Sequence, residues 1–451
     1  MTPERGVAAA IVVVLYVLLC AATLRGRSKR ARASVIESAT ENGAPAMLVA
    51  YASQTGYAEH LARQTAHALE RAGVTTRLAA LSDLDARELR DTHTALFVVS
   101  TYGEGDPPDS ALRFVRRTMH DAMDLAHLRY GILALGDRTY ANFCGFGRAL
   151  DAWLNACSAQ PLFERVEVDG DDEHALNRWR ALVAQTTQVA DLSDWQQQPF
   201  KPWRLVARQC LNPDGAGRPC WHLELEPSPG EGLPTWQAGD LVQLIVPVDR
   251  QRPREYSISS LPADGRIHLL VRHELRADGT PGLASDWLVQ GVALGDSVEL
   301  RVRTNSNFHL GTNATRPLIL IGNGTGLAGL RALLKARVSS GERRNWLIYG
   351  ERNAAHDFYY REEIETWIAQ GMLEHADLVF SRDGVQTRYV QDRLREAAAK
   401  VHEWLHAGAA VYVCGSLKGM AAGVDAALTE IVGAEMMERL RDEGRYRRDV
   451  Y

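Results

Sequence analysis

Three short apolar runs, MLVAYAS (47–53), TALFVVS (94–100) and RYGILALGD (129–137), each break at the carboxyl end into a loop of small, hydroxyl and glycine residues. Runs of this length and composition read as buried strands. LARQTAHALERAG follows the first run, with Leu61, Ala68, Leu69 and Ala72 on one helical face. Strands alternating with helices predict a doubly wound α/β domain with a parallel sheet, whose ligands bind at the carboxyl ends of the strands. At the first such end, Ser53, Gln54, Thr55, Gly56, Tyr57 and Ala58 form a strand-to-helix turn. Its amides and the helix dipole suit a phosphate, and the hydroxyls of Ser53 and Thr55 add uncharged donors. The second loop opens at Thr101 and carries Tyr102 and Gly103. The third carries Tyr140, Phe143 and Cys144. A planar ring fits between the two tyrosines.

The pattern changes near Trp195. Gln196 to Trp203, with two prolines and three consecutive glutamines, reads as a linker. After it come KPWRLVARQCL, CWHLELEP, DLVQLIVPV, REYSISS, RIHLLVRHE and DSVELRVR, punctuated by Gly, Pro and Asp. Short strands at this spacing predict an antiparallel barrel. Within REYSISS, alternation puts Arg254, Tyr256 and Ile258 on one face and Ser257 on the other. Arg suits a phosphate, Tyr a flat ring and Ser a ring nitrogen. Gly282, Leu283, Ala284 and Ser285 open a helix, DWLVQG, whose N-terminus suits a pyrophosphate.

From residue 313 the chain returns to strand and helix. PLILIG leads into GNGTGLAG, and Gly324 to Gly329 literally spell GxGxxG. A Rossmann reading of that match would use Glu351 for a ribose hydroxyl and predict NADH. The phase argues otherwise, because the glycines begin at Gly322 and Thr325 stands between Gly324 and Gly326. A later strand, DLVFSRDG, ends in Ser381 and Arg382, with Arg388, Tyr389 and Gln391 nearby. A hydroxyl beside a guanidinium suits a phosphomonoester, which predicts NADPH. Cys414 ends the apolar strand AVYVCG.

These motifs resemble known families in order. SQTGYAE, STYGEGDPPD and LGDRTYANFCGFG look like the three FMN loops of a flavodoxin domain. RxYS and GxxS resemble the FAD-binding barrel of the ferredoxin–NADP reductase family, and GNGTGLAG resembles its nicotinamide-nucleotide loop. Together, over about nine tenths of the chain, the order resembles diflavin reductases. Among these are the flavoprotein subunit of sulfite reductase and NADPH–hemoprotein reductases.

The resemblance implies an FMN domain over 46–190, an FAD barrel over 200–312 and an NADP domain over 313–451. It implies FMN phosphate at Ser53 to Ala58, with isoalloxazine contacts in the loops of Thr101, Tyr102, Gly103, Tyr140 and Phe143; Cys144 reads as a loop packer. It implies that Arg254 and Ser285, flanked by Gly282 and Ala284, hold the FAD pyrophosphate. Tyr256 then packs on the flavin and Ser257 approaches N5. The nicotinamide nucleotide falls at Gly324, Thr325 and Gly326, and the 2′-phosphate at Ser381, Arg382, Arg388, Tyr389 and Gln391. Cys414 and Asp449 join Ser257 at the hydride-transfer site, and Tyr451 covers the flavin. In the closing segment NFHL, His309 and Gly311 replace the family's Arg and Pro, and Ser416 stands where an Asp is usual. The relatives carry a helical insertion of roughly a hundred residues in the FAD-binding domain; the interval from REYSISS to GLAS leaves no room for it.

Electrons would thus run from NADPH to FAD, to FMN and on to a one-electron acceptor. Three acceptors fit the sequence: a hemoprotein, including a sulfite reductase partner; ferric iron or a ferric siderophore; or a membrane cytochrome. A net charge of −5 over 451 residues gives no footprint for nucleic acid. Six cysteines without CxxC spacing argue against a zinc module or a disulfide scaffold.

The near-average composition, 46% apolar and 24% charged, hides one exception. Gly6 to Leu24 carries no charge and just spans a hydrocarbon core of about 30 Å. RGRSKRAR follows it, so the basic side should stay inside the cell. A cleaved signal peptide would carry its basic cluster before the apolar run instead. The expectation is a single-pass anchor in a bacterial-type inner membrane, a tether over 25–45 and cytoplasmic catalytic domains.

Overall fold

The computed structural model describes residues 46–189, 199–215, 217–276, 278–383 and 389–451. The apolar segment Gly6 to Leu24, the tether, Gln196 to Gln198 of the expected linker and Arg388 lie outside the described residues. Among the described residues, no helix is long and apolar enough to cross a membrane.

The first unit is built on β1 (Met47–Ala52), β2 (Thr76–Ala80), β3 (Thr94–Ser100), β4 (Arg129–Gly136), β5 (Gln160–Pro161) and β6 (Val166–Asp169). The strands are parallel in the order β2-β1-β3-β4-β5, with β6 also on β4. Helices cover both faces, so β3 and β4 bury nearly every side chain and read as unbroken apolar runs. The helix Tyr57–Arg71 buries Ala58, Leu61, Ala62, Thr65, Ala66 and Leu69. Two of the expected face residues differ: Ala68 is only half-buried, and Ala72 lies past the last turn and is exposed.

The second unit holds β7 (Lys201–Cys210), β8 (Cys220–Pro227), β9 (Leu241–Val246), β10 (Asp249–Ser257), β11 (Ile267–Arg272) and β12 (Ser297–Arg303). They form one antiparallel sheet in the order β10-β9-β12-β7-β8-β11. The expected closed barrel is not shown, because the edge strands β10 and β11 do not ladder together. The β10 ladder ends at Ser257, where the chain turns inward and fully buries Ile258. Past that point two serines reach β11 instead. Ser259 N donates to His268 O at 2.9 Å, and Ser260 Oγ to Arg266 O at 2.8 Å. The linker ends earlier than expected, since Lys201 already opens β7 and Trp203 lies in the core. β9 passes into β10 through a turn at Pro247 and Val248, and no helical insertion separates these strands.

The third unit is a parallel sheet, β15-β14-β13-β16-β17, of β13 (Leu318–Asn323), β14 (Asn345–Glu351), β15 (His375–Phe380), β16 (Ala410–Gly415) and β17 (Tyr446–Val450).

The two seams between units differ. Phe308 and Leu270 of the second unit share one core with Leu320, Leu330 and Tyr412 of the third. Within this seam Asn212 Nδ2 donates to the buried Asp357 carboxylate at 2.8 Å, and Arg272 pairs with Glu351. The first unit meets the others through polar groups. Gln243 Nε2 and Arg301 donate to Asp171 at 2.6 and 3.1 Å, Ser306 Oγ donates to Glu59 at 2.9 Å, and Arg116 pairs with Glu438.

Candidate active site

The first strand end forms a cradle. Gly56 caps the helix Tyr57–Arg71 in the left-handed region (φ 88°), and a Cβ there would stand 2.7 Å from Ser306 Oγ. Glycine is therefore required by conformation and by the neighbouring unit together. Ser53 N donates to Ser110 Oγ at 3.0 Å, and Ser110 Oγ returns a bond to Ser53 O at 2.9 Å. Gln54 straps the second loop rather than reaching into the cradle. Its Nε2 donates to Asp109 at 3.2 Å, and its Oε1 accepts from Asp109 N at 2.9 Å. Thr55 Oγ1 accepts from Arg303 at 3.4 Å, the Arg303 guanidinium sits 4.1 Å from the Tyr57 ring centre, and Ala58 is buried below.

Around this cradle, Ser53 Oγ, Thr101 Oγ1 and Tyr102 Oη are buried without a hydrogen-bond partner. Buried polar atoms are nearly always satisfied, so three orphans at adjacent strand ends fit a polar ligand such as FMN. Gly103 adopts φ 50°, and Tyr140 lies half-buried near Tyr102. Phe143 instead packs into the core beneath Arg138, 4.5 Å away. The buried Cys144 thiol donates to Ala134 O at 3.3 Å, and burial pushes it up to about 12, which suits packing and not thiolate chemistry.

A second constellation joins three strands. Ser257 Oγ at the end of β10 donates to Asp449 Oδ2 on β17 at 2.8 Å. Cys414 Sγ on β16, the register partner of Asp449, lies 3.7 Å from the same oxygen. Burial pushes the Asp449 carboxyl up to about 6 even though both donors favour the carboxylate. Burial, and then the Asp449 charge, hold the Cys414 thiol well above its ordinary value, so it remains a donor. Tyr451 Oη stands 3.2 Å from Thr325 Oγ1, between this cluster and the turn Gly324–Gly326. A Cβ on Gly326 would collide with Cys414 O, which explains the glycine between Thr325 and the helix Leu327–Ser339.

The groups expected at the FAD pyrophosphate are engaged within the protein. Arg254 turns to Asp249 at 2.8 Å and to the Arg252 carbonyl. Ser285 Oγ accepts from Glu274 N and donates to Gly282 O, both at 3.1 Å. The expected helix is a four-residue turn, Leu283–Asp286, running into a π turn over Trp287–Gly291; Gly282 caps it and Ala284 is buried. Tyr256 is half-buried on β10 beside Ser257, whereas Ile258 lies past the strand, off the face expected for it.

In the third unit, Ser381 N and Arg382 N bond the carbonyls of Glu351 and Arg352, and the Arg382 side chain is exposed. Tyr389 is exposed, and Gln391 Oε1 is buried without a partner beside Gly423. Glu351 is paired with Arg272 and is thereby withdrawn from the ribose role of a Rossmann reading. Arg272 also stands beside Gly324, whose Cβ would lie 2.9 Å from its Nη2. His309 has a structural partner: its Nε2 lies 2.5 Å from Asp240 Oδ1, which also accepts from Asn305 N. Gly311 takes φ 48°, a conformation closed to the proline it replaces. Ser416 N donates to Asn323 Oδ1 at 3.1 Å.

Sequence reasoning missed three residues that assemble these sites. Arg448 donates to Asp109 Oδ2 at 2.8 Å and lies 5.4 Å from the Tyr102 ring centre. Asn307 Nδ2 donates to Ser53 O and Gln54 O at 2.6 and 2.8 Å. Arg272 joins them for its place at the nucleotide loop. No pattern in RRDVY signals them: its charges mask the strand that sets Arg448 and Asp449 on opposite faces.

Comparison with known proteins agrees with this arrangement. Residues 49–179 match the flavodoxin family model, and residues 320–426 match the oxidoreductase NAD-binding domain. The sulfite reductase [NADPH] flavoprotein alpha-component of Neisseria meningitidis is 30% identical over 536 aligned positions, covering 89% of this chain and 88% of that protein. Its counterpart in Vibrio cholerae is 28% identical, covering 90% and 87%, and that of Salmonella typhi 27%, covering 94% and 92%. The alignments run longer than the 451 residues of this chain, so the relatives carry residues that it lacks.

Proposed function

Because this chain belongs to the diflavin reductase family, as an NADPH-dependent flavoprotein oxidoreductase using FMN and FAD, we propose that it delivers electrons to a hemoprotein partner at a membrane surface. The observation that carries this reading is the step from Arg448 to Asp449. One residue holds the FMN-side loop through Asp109, and the next holds Ser257 and Cys414. The two redox sites are thus joined by a single peptide.

The flavins, when bound, convert a two-electron reductant into single electrons. The chain orients and shields them. Ser257 and Cys414 offer two neutral donors at one point, and Asp449 between them takes or releases a proton at Oδ2 near neutral pH. Tyr451 covers the turn at Thr325 and moves aside for the nicotinamide. Arg254 and Ser285 exchange their protein partners for a pyrophosphate. Ser381, Arg382 and Gln391, with Arg388 and Tyr389, select the 2′-phosphate. An Arg382→Ala variant should raise the KM for NADPH about tenfold or more and leave that for NADH nearly unchanged, measured by steady-state kinetics.

The sulfite reductase flavoprotein relatives support a hemoprotein acceptor of that class. The apolar segment Gly6 to Leu24 and its basic flank support a single-pass anchor with the catalytic units cytoplasmic. They also favour a second reading, in which the acceptor is a membrane cytochrome or a ferric siderophore at the inner face. Membranes holding the full chain, mixed rapidly with NADPH and each acceptor in turn, separate these readings. Fast reduction of a sulfite reductase hemoprotein is expected; reduction of ferric complexes alone would replace it with the second reading. A crosslink fixing the stretch around Gln196 should leave NADPH oxidation intact and stop acceptor reduction.

A further inference from the structure

Outside the residues assigned to the flavins and NADP, one cluster of ligating side chains lies on the outer face of the second sheet. His222 and Glu224 are two apart on β8, so they share a face, and His268 on β11 is the register partner of Glu224. The sequence gives no hint of this, because the two strands are far apart in the chain. His222 Nε2 lies 3.4 Å from Glu224 Oε1, and His268 Nε2 lies 4.0 Å from Glu224 Oε2. One ligating atom from each residue falls within 4.8 Å of the others. Ligand atoms held at about 2.0–2.1 Å from a tetrahedral zinc ion stand about 3.4 Å apart, so only small side-chain movements separate this cluster from a coordination shell.

Two further observations single the cluster out. His222 Nδ1 is 2.9 Å from Tyr360 Oη, on the third unit. With Nδ1–H donating to that hydroxyl, Nε2 keeps its lone pair and faces Glu224, the outer-shell arrangement that orients metal-bound histidines. His268 Nδ1 is buried with no partner, and its Nε2 is beyond hydrogen-bond reach of Glu224. A ring nitrogen buried without a partner needs a reason.

We propose that His222, Glu224 and His268 form a binding site for a borderline divalent cation of the zinc class, with water in the fourth position, at the seam between the second and third units. Two imidazoles and a carboxylate are a ligand set that such ions accept. Three cations stand nearby. Arg331 is held by Glu363 at 3.0 Å and Lys335 by Asp264 at 2.7 Å. Arg266 is the competitor, because its Nη1 binds Glu224 Oε2 at 2.7 Å, while its Nε lies 3.7 Å from Glu226 Oε2, which offers the guanidinium another partner once a metal takes Glu224.

The test uses the full chain with its flavins, stripped of metal by a chelator and titrated with Zn²⁺ by calorimetry, and with Co²⁺ as a visible-absorption probe. One ion per chain is expected, with a tetrahedral Co²⁺ spectrum lost on adding Zn²⁺ and a rise in Tm with bound metal. His222→Ala and His268→Ala should each weaken binding by at least about 100-fold, and Tyr360→Phe by about 10–100-fold. Arg266→Gln should tighten it. Failure of the unaltered chain to bind one ion, or binding that survives in both histidine variants, overturns the site. If the histidine variants do not fold, Arg266→Gln carries the test alone, and unchanged affinity there overturns the site.

Discussion

The seam between the second and third units and the seam around the first unit are built from different materials. The former is a continuous apolar core in which Phe308 packs edge-on to Tyr412 at 5.4 Å, with a buried hydrogen bond from Asn212 to Asp357. The latter is a set of hydrogen bonds and ion pairs, several of them wet: Arg116 and Glu438 are 51% and 44% exposed. Separating apolar surfaces in water carries the full cost of re-exposing them, whereas separated ion pairs regain their hydration. The second and third units therefore share one continuous core, whereas the first unit meets them through contacts that water can replace. This division fits the proposed function, in which the second and third units stay in register for transfer at Asp449 and the first presents its flavin to an acceptor.

The largest expected effect breaks the apolar seam. Phe308→Ala should cost about 3–5 kcal/mol. Calorimetry should show the second and third units melting earlier together, with FAD released, while the FMN unit keeps its own transition. Two separate shifts for the second and third units would show that they are not one body.

Next comes Asp449. Its folded value of about 6 lies above an ordinary aspartate at about 3.9, so the native state binds more protons between these limits. By linkage this contribution is fully present below about pH 4 and is lost as pH rises through 6, a change of up to about 3 kcal/mol. Asp449→Asn should therefore melt higher than the unaltered protein at pH 8, with the gap closing at pH 5. Reduction of the flavins by NADPH should slow about 100-fold in stopped flow.

Smaller effects belong to the polar seam. Asp109→Asn removes the anion facing Arg448 and should shift the docked-to-undocked ratio about tenfold, or about 1.4 kcal/mol, read by small-angle scattering or fluorescence transfer between units. Raising ionic strength from about 0.05 to 0.5 M should move the ratio in the same direction. Arg116→Gln should change it by less than about 1 kcal/mol, because that pair is exposed. An Arg116 effect as large as that of Asp109 would mean the outer pairs, and not the Arg448 contact, hold the FMN unit.

The same contrast marks where the sequence was legible. β3 and β4 end where their apolar runs end, because strands buried on both faces leave an unbroken signature. β17 was not legible as a strand: YRRDV shows charges where a buried edge would show apolar residues, and only pairing with β16 and Asp109 makes sense of them. The Ser257, Cys414 and Asp449 cluster came through resemblance, since 192 positions separate Ser257 from Asp449. The barrel failed at one corner, where Ser259 and Ser260 replace a strand ladder with hydroxyl bonds that no periodicity reports. The side-chain strap from Gln54 to Asp109 was not legible, because it depends on how two loops meet.

One consequence of β17 concerns inheritance. Its alternation sends Arg448 toward Asp109 and Asp449 toward Ser257. A missense change at either position damages one contact and spares the other. Loss of a single codon just upstream would shift the register by one, placing Asp449 where the cation belongs and Val450 where the acid belongs. Lineages of this gene should therefore tolerate substitution in this strand far more readily than any change in its length.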